Sequence, residues 1–240
     1  MFHRGPAPID EALRHLIAAV AHEVGNSLVS VRTYAQLLAD RLEDTELGRC
    51  CADRVAMDSR RIEVMLETLT RLASLPAPAR RPVDVAAMLA GLLGNERAQM
   101  DQRHLVVRED LDCAQAIALG DADQLAFAFE ILLGDAIAWS PDRGEFRVTV
   151  RHQQAVGRAA RALRITLFFP GSPAAIVGFA ENGLGAVTAE VVVRAHGGSF
   201  AVRARGGNGE VIVDLPTPAP VRRTEGRRRR RLDQVAHRAP

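Results

Sequence analysis

Three residues near the N-terminus have side chains that could do chemistry together: His22, Glu23 and Asn26. The imidazole of a histidine can act as a nucleophile, and a carboxylate within its reach can orient the ring or accept its proton. On a helix, Asn26 lies one turn after His22 and on the same side of it. This spacing favours a single reactive surface around His22.

An amphipathic helix is predicted to position these residues. Apolar side chains recur at helical spacing, and Ile17, Val20 and Val24 fall within one arc of about 60°. His22 lies nearly opposite the centre of that arc, so we expect the arc to be buried and His22 to face solvent. The simpler alternative is that helices have polar faces and one of the chain's seven histidines occurs on one of them.

The segment around His22 resembles the phosphoacceptor box of sensor histidine kinases. The family pattern His-Glu-x-x-Asn-Pro-Leu is matched by His22-Glu23-Val-Gly-Asn26-Ser27-Leu28, followed by Ser-Val-Arg-Thr-Tyr-Ala-Gln-Leu-Leu. Ser27 stands where the family usually has proline, which removes a helix kink and no reacting group. The resemblance implies that His22 accepts a phosphoryl group, that Glu23 orients it or takes its proton, and that Asn26 positions water or the partner's phosphoryl group.

The composition is that of a globular chain. Its 240 residues, 48% of them hydrophobic, suffice for one or two units with proper cores. No run of about 18 apolar residues and no signal peptide are found, so we expect no membrane span. Three cysteines without metal-binding spacing indicate reduced thiols and a cytoplasmic location.

Two long helices are predicted to form the N-terminal part, over residues 9–42 and 46–75, with a tight turn at 43–45 that Thr45 caps. They would form an antiparallel hairpin with two apolar stripes that one hairpin cannot bury. A homodimer with a four-helix bundle is the natural solution, and a larger helical domain within one chain is the alternative.

The sequence after residue 82 changes to an α+β pattern. Helices are expected at 83–100, 121–139 and 183–195, and strands at 105–109, 116–119, 146–151, 163–169, 199–204 and 210–215. This order predicts a two-layer α/β sandwich. It resembles the ATP-binding domain of the same kinases, a GHKL fold shared with gyrase and the MutL mismatch-repair proteins.

Two of the motifs that carry that second resemblance concern the cofactor site. Ile131-Leu-Leu-Gly-Asp135-Ala-Ile-Ala-Trp-Ser-Pro resembles the family's Asn-Leu-Leu-x-Asn-Ala-Ile-x-x-Ser-Pro, and Gly183-Leu184-Gly185 resembles the glycine box that ends the ATP lid. The resemblance implies ATP and Mg²⁺ as cofactors and Asp135 as the metal ligand. The cofactor-binding residues that it implies are Asp135, Gly171, Gly183, Leu184 and Gly185.

The same region departs from the family pattern in ways that favour impaired ATP binding. Ile131 replaces the first asparagine of the pattern. The family's Asp-x-Gly-x-Gly, whose carboxylate accepts the adenine amino group, is replaced by Phe168-Phe169-Pro170-Gly171-Ser172, with no carboxylate. Only about a dozen residues, from Gly171 to Gly183, are left for the lid.

The C-terminal segment differs in charge from the rest of the chain. Residues 217–240 contain eight arginines and two acids, whereas residues 1–216 contain 23 basic and 27 acidic residues. We expect a solvated, disordered tail, with nucleic acid or an acidic partner as the alternative. The predicted organisation is therefore a disordered N-terminus at 1–8, a dimerisation and phosphoacceptor hairpin at 9–75, a linker at 76–82, an ATPase-like domain at 83–216 and a tail at 217–240.

Three functional hypotheses follow. The first is a phosphorelay protein that exchanges the phosphoryl group of His22 with an aspartate of a response-regulator receiver domain, as a phosphotransferase with impaired ATP binding. The second is an ATP-dependent sensor histidine kinase that autophosphorylates His22, and the third is a non-catalytic dimeric scaffold. The complete acceptor box argues against the third hypothesis, and the departures in the nucleotide site favour the first over the second. We expect no sensor domain before residue 9, and therefore a signal that arrives from an upstream kinase or sensor.

Overall fold

A computed structural model describes residues 8–40, 45–111, 115–154 and 161–218. The chain begins with two long helices, α1 (Pro8–Asp40) and α2 (Thr45–Ala73), which pack against each other. Because only residues 41–44 connect them, the helices run antiparallel, as predicted. The turn predicted at 43–45 and the capping by the Thr45 side chain lie outside the described residues.

The second part of the chain alternates helices and strands. Its elements, in order, are β1 (Arg81–Asp84), α3 (Val85–Asn95), α4 (Arg97–Gln102), β2 (Val106–Asp110), β3 (Ile117–Gly120), α5 (Ala122–Trp139), β4 (Glu145–Gln154), β5 (Arg161–Pro170), α6 (Pro173–Asn182), α7 (Leu184–Ala195), β6 (Ser199–Arg205) and β7 (Asn208–Pro216). The predicted α+β class is confirmed.

Five of the strands form one mixed sheet in the order β2-β4-β5-β7-β6, and β1 pairs with β3 in a separate two-stranded sheet. Strands β2 and β4 are parallel, whereas the other pairs of the large sheet are antiparallel. The register places Ile165 of β5 opposite Val213 of β7, so apolar side chains of neighbouring strands meet on one face.

That apolar face of the large sheet packs under the helices and forms the core. Strand residues alternate between the two faces, and every second residue is buried from 146 to 150 in β4, from 163 to 169 in β5 and from 209 to 215 in β7. The residues of these three strands in the core cluster are Phe146, Val148, Val150, Leu163, Ile165, Leu167, Phe169, Val211, Val213 and Leu215. Among the described helices, none alone is long and apolar enough to cross a membrane, although α6 and α7 together, across a 48° bend, would be by length and composition.

The prediction of one helix at 83–100 is wrong, because β1, α3 and α4 occupy this stretch. Val83 pairs with Ala118 in β1, and the carboxylate of Asp84 then accepts the N–H of Ala87 and starts α3. Glu96 ends α3 and precedes the short helix α4. The predicted linker at 76–82 is also shortened, since Arg81 already belongs to β1.

The linker is tied to the first turn of α5. The N–H of Ala79 donates to Asp121 Oδ2 over 3.2 Å, and the side-chain amide of Gln124 donates to the carbonyl of Pro76 over 2.9 Å. Asp121 also caps α5 by accepting the N–H of Gln124. The connection between the hairpin and α5 is therefore fixed by side-chain hydrogen bonds.

The hairpin packs against α7 through apolar side chains. Leu16 and Ala19 of α1 form a buried cluster with Val187 of α7. This contact changes the expected burial of α1: in the single chain, Ile17 is 61% exposed, although we predicted it to be buried. Val20 is partly buried against the same cluster. The difference arises because α1 presents the Leu16 side of the helix, and not the Ile17 side, to α7.

Candidate functional site

The three predicted catalytic residues project from the middle of α1. His22 and Asn26 are exposed, as their position opposite the apolar arc predicts. The side chain of Glu23 is only 13% exposed, because it points towards α2. The helix thus separates an accessible imidazole from a carboxylate that the fold partly encloses.

An ion pair with α2 holds Glu23. Its carboxylate pairs with the guanidinium of Arg61, whose own side chain is 63% exposed. In an antiparallel hairpin, residues equally distant from the turn face each other, and position 42 is equidistant in sequence from Glu23 and Arg61. The pair therefore follows from the hairpin register, and it neutralises a carboxylate that is largely removed from water.

A cleft of about 350 Å³ surrounds His22, and we call it the acceptor cleft. Its lining residues are His22, Glu23, Asn26, Ser27, Ser30, Asp58, Arg61 and Trp139. The structure therefore brings the three predicted catalytic residues to one concave, accessible site.

A second cleft, of about 270 Å³, lies beside the first, and we call it the glycine-box cleft. Its lining residues are Glu23, Arg61, Val64, Met65, Asp135, Trp139, Gly183 and Leu184. Glu23, Arg61 and Trp139 line both clefts. Residues predicted for phosphoryl acceptance and residues predicted for cofactor binding are thus neighbours in space.

Asp135 is fixed by the glycine box. The N–H of Gly185 donates to Asp135 Oδ2 over 2.6 Å. Burial raises the pKa of Asp135 to about 6, although the Gly185 hydrogen bond and the charge of Arg61 lower it and the charge of Glu23 raises it further. Asp135 can therefore gain or lose a proton close to neutral pH.

The glycines of this box are required by close backbone approach. A Cβ atom on Gly185 would lie 2.5 Å from the carbonyl oxygen of Ile131, and one on Gly183 would overlap the carbonyl of Phe179. Helix α7 therefore begins in contact with α5 and α6, at the position where the Asp135 carboxylate receives the Gly185 N–H.

Gly171 is not brought to either cleft. It follows β5, donates its N–H to the carbonyl of Gly207 over 3.2 Å, and lies outside the described linings of both clefts. The next residue, Ser172, caps α6 by accepting the N–H of Ala175. Most of the stretch from Gly171 to Gly183, which we expected to form a short lid, is therefore the helix α6.

An aromatic group connects α6 to the end of β5 and the end of α5. The ring of Phe179 lies 4.9 Å from that of Phe169 and 6.4 Å from that of Trp139. Phe169 and Phe179 are buried, and Trp139 also contacts Gly178. These rings fill the space between α6, β5 and α5, so the region after β5 is closely packed.

Known proteins of similar sequence are sensor kinases. Over 229 residues the chain is 26% identical to the sensor-like histidine kinase SenX3 of Mycobacterium tuberculosis, covering 89% of this chain and 55% of SenX3. Over 223 residues it is 28% identical to the sensory histidine kinase/phosphatase NtrB of Rhodobacter capsulatus, covering 82% of this chain and 60% of NtrB. The chain is related to the sensor histidine kinases. It spans little more than half the length of these curated relatives, and no protein-family profile matches it.

A solved histidine kinase has the same fold. The crystal structure of the histidine kinase ThkA in complex with the response regulator protein TrrA aligns with a TM-score of 0.64 at 13% identity, covering 88% of this chain and 64% of that one. At this identity the likeness shows the fold alone. The predicted GHKL-type α/β sandwich is therefore confirmed.

His196, the residue that follows α7, has a structural role. The ring is buried, with Nδ1 at 2.8 Å from the carbonyl of Val192 and Nε2 accepting the N–H of Asp121 over 3.1 Å. Both ring nitrogens are thus occupied, with Nδ1 carrying the proton that it donates to Val192. His22, in contrast, is exposed in the acceptor cleft.

Sequence reasoning missed two residues that line both clefts, Arg61 and Trp139. The signal for Arg61 was present in the hairpin, since its position opposite Glu23 follows from the turn. Trp139 stands within the stretch that resembles the kinase asparagine motif, at a position where the family pattern specifies no residue type. Its place in the site depends on the packing of α5 against the hairpin and could not be read from the pattern.

Proposed function

We propose that this chain carries a phosphoryl group on His22 and exchanges it with an aspartate of a response-regulator receiver domain. The observation that carries the proposal is the acceptor cleft, where exposed His22 lies beside Glu23 and Asn26. A receiver domain must bring its own aspartate against the imidazole, and an exposed residue on a rigid helix permits this. The solved complex of ThkA with the response regulator protein TrrA supports this class of partner.

The transfer is a nucleophilic displacement at phosphorus. A bond forms between an imidazole nitrogen of His22 and phosphorus, while the bond from phosphorus to the partner's aspartate oxygen breaks and its electron pair leaves with the carboxylate. Glu23 orients the ring or accepts the proton of the other ring nitrogen. In the reverse direction, Asn26 positions the phosphoryl group or a water molecule.

We infer further that ATP binding is impaired at the adenine end of the nucleotide site. The residues there do not fit adenine, because the turn after β5 has no carboxylate and Phe169 and Phe179 pack tightly beside it. The phosphate end fits better, since Asp135 offers a hard oxygen ligand for Mg²⁺ next to the glycine box. In the described part of the chain, no three His, Cys, Asp or Glu side chains converge as a metal-binding group.

An ATP-dependent autokinase is the second candidate function. It is favoured by the proximity of the two clefts. Glu23 and Arg61 line both the acceptor cleft, which contains His22, and the glycine-box cleft, which contains Asp135. A phosphate bound near Asp135 would then face the acceptor residue. The two functions share the phosphorylated His22 and differ in the donor.

The proposal is tested by following phosphate from a receiver domain to the chain. Receiver domains of candidate response regulators are phosphorylated with labelled acetyl phosphate, purified and mixed with the full chain. We expect acid-labile label on the chain, its loss in His22→Ala and its retention in His15→Ala, which changes another histidine of α1. Label that persists in His22→Ala would refute the assignment, and an unlabelled wild-type chain with every candidate receiver would refute the function.

A further inference from the structure

The acceptor cleft contains one side chain with a permanent positive charge and no assigned role, that of Arg61. Among the described residues that line this cleft, Arg61 is the single arginine, and two carboxylates, Glu23 and Asp58, stand with it. Its guanidinium pairs with Glu23, yet 63% of its side chain remains exposed. A paired arginine can therefore also receive a second anion from the solvent side.

A phosphorylated His22 would add negative charge to this cleft. A phosphoryl group presents three acceptor oxygens and close to two negative charges at neutral pH. Beside two carboxylates, that charge is repelled unless a cation is present. The planar guanidinium has five N–H donors in a fork that matches phosphoryl oxygens, so it can serve Glu23 and a phosphoryl group together or in turn.

We propose that Arg61 binds the phosphoryl oxygens on His22 and on the incoming aspartyl phosphate. The inference rests on the proposed function of His22. As the phosphoryl group arrives, the guanidinium turns from Glu23 towards it, and Glu23 becomes available to the imidazole proton. Arg61 thus neutralises the oxygens of the group being transferred, while the bond from phosphorus to the partner's oxygen breaks and the bond to the His22 nitrogen forms.

The test compares Arg61→Gln, Arg61→Lys and the matched control Arg60→Gln, which removes an exposed arginine next in sequence on α2. We expect Arg61→Gln to slow transfer from a labelled receiver domain to His22 by about 10- to 100-fold. Arg61→Lys should recover part of that loss because it restores the charge without the fork, and Arg60→Gln should stay within about twofold of wild type. Circular dichroism and thermal melting of each variant check that the fold is retained.

A double variant separates phosphoryl binding from mere support of Glu23. In the Glu23→Gln background, the fraction of His22 phosphorylated at equilibrium with a fixed donor pool should still fall when Arg61→Gln is added. If the effect of Arg61→Gln vanishes in that background, or equals that of Arg60→Gln in the wild-type background, the inference is overturned while the function of His22 stands. An unlabelled wild-type chain would instead refute the function itself.

Discussion

The backbone N–H of Gly185 donates a hydrogen bond of 2.6 Å to the carboxylate of Asp135. This bond joins the first turn of α7 to the C-terminal part of α5 and fixes one carboxylate oxygen at the edge of the glycine-box cleft. The hydrogen bond favours the ionised form, yet burial outweighs it and raises the pKa of Asp135 to about 6. The fold therefore keeps the carboxylate of Asp135 in surroundings that favour its protonated form.

Stability should depend on pH through Asp135. Its pKa is 3.8 unfolded and about 6 folded, so between these values the unfolded chain has lost a proton that the folded chain retains. This contribution to the free energy of unfolding is greatest below about pH 4, falls as the pH rises to about 6, and is constant above that. Asp135→Asn keeps an oxygen for the Gly185 N–H and carries no charge, so it should be more stable than wild type by up to about 3 kcal/mol at pH 7.5.

Urea unfolding at several pH values measures this difference. It should disappear near pH 4 and reach its full value above pH 7. Asp123→Asn, an exposed carboxylate on the same helix, serves as the control and should shift the stability by less than about 0.5 kcal/mol. A stability difference for Asp135→Asn that is the same at pH 4 and pH 7.5 would contradict the assignment.

Replacement by alanine should lower the stability of the fold at Gly185 and raise it at Gly134. In Gly185→Ala, the new Cβ meets the Ile131 carbonyl oxygen at 2.5 Å, so the first turn of α7 must shift, which costs about 1–3 kcal/mol. Gly134→Ala, in the neighbouring helix α5, meets no atom within 4 Å and should stabilise by about 0.5–1 kcal/mol. Thermal melts should show a lower melting temperature for Gly185→Ala and a higher one for Gly134→Ala. Equal shifts in the two variants would argue against the close approach of Gly185 to the Ile131 carbonyl.

The hairpin should form a homodimer through residues 9–75. Both helices expose apolar side chains in the single chain, which a second hairpin would cover. These side chains are Ile17, Leu28, Val29, Leu37, Met57, Val64 and Leu66. We expect light scattering at micromolar concentration to give the mass of a dimer, and Ile17→Glu to give a monomer. Val177→Glu, at an exposed apolar position on α6, should remain dimeric; a monomeric wild-type chain would contradict the prediction.

The arginine-rich tail should be dispensable for phosphotransfer. The tail, predicted at 217–240, resembles no kinase motif, and its arginine cluster lies outside the described residues. Truncation after Pro218 keeps all of β7, which ends at Pro216 and pairs with β5. The truncated chain should accept phosphate from a receiver domain at a rate within about twofold of wild type. A larger loss, with an unchanged circular dichroism spectrum, would assign the tail to the mechanism.

MgATP should neither stabilise the chain nor label His22. A ligand raises the melting temperature only in proportion to its binding to the folded state, and the residues after β5 offer adenine no carboxylate. Melting curves with and without millimolar MgATP, together with labelled ATP in the absence of any other kinase, test both points. A thermal shift with label on His22, both lost in Asp135→Ala, would establish the autokinase alternative.

Helix α1 could be predicted from the sequence because its information is local. The positions of His22, Glu23 and Asn26 follow from helical spacing, and the structure agrees with the predicted exposure of His22. The burial of Ile17 could not be predicted in the same way, because it depends on which side of α1 meets α7. Local pattern decides where a side chain points on its helix, and packing decides what it meets.

Helix α6 was missed although its start signals are in the sequence. Ser172 is a good N-cap, and Pro173 follows it at the first helical position. The resemblance to a lid outweighed these signals, and the residues following Ser172 were assigned to the lid. The division of 83–100 into β1 and α3 was missed because the capping residue Asp84 lies inside an otherwise apolar stretch that was assigned to one helix.

The hydrogen bonds between the linker and α5 act as a mechanical joint. Ala79 is held by Asp121 and Pro76 by Gln124, so the end of α2 and the start of α5 cannot turn independently. A rotation of α2 about its axis would therefore act on the first turn of α5, and α5 extends about 20 Å from there to Asp135. The linker thus couples the hairpin to the helix that carries two cleft residues, Asp135 and Trp139.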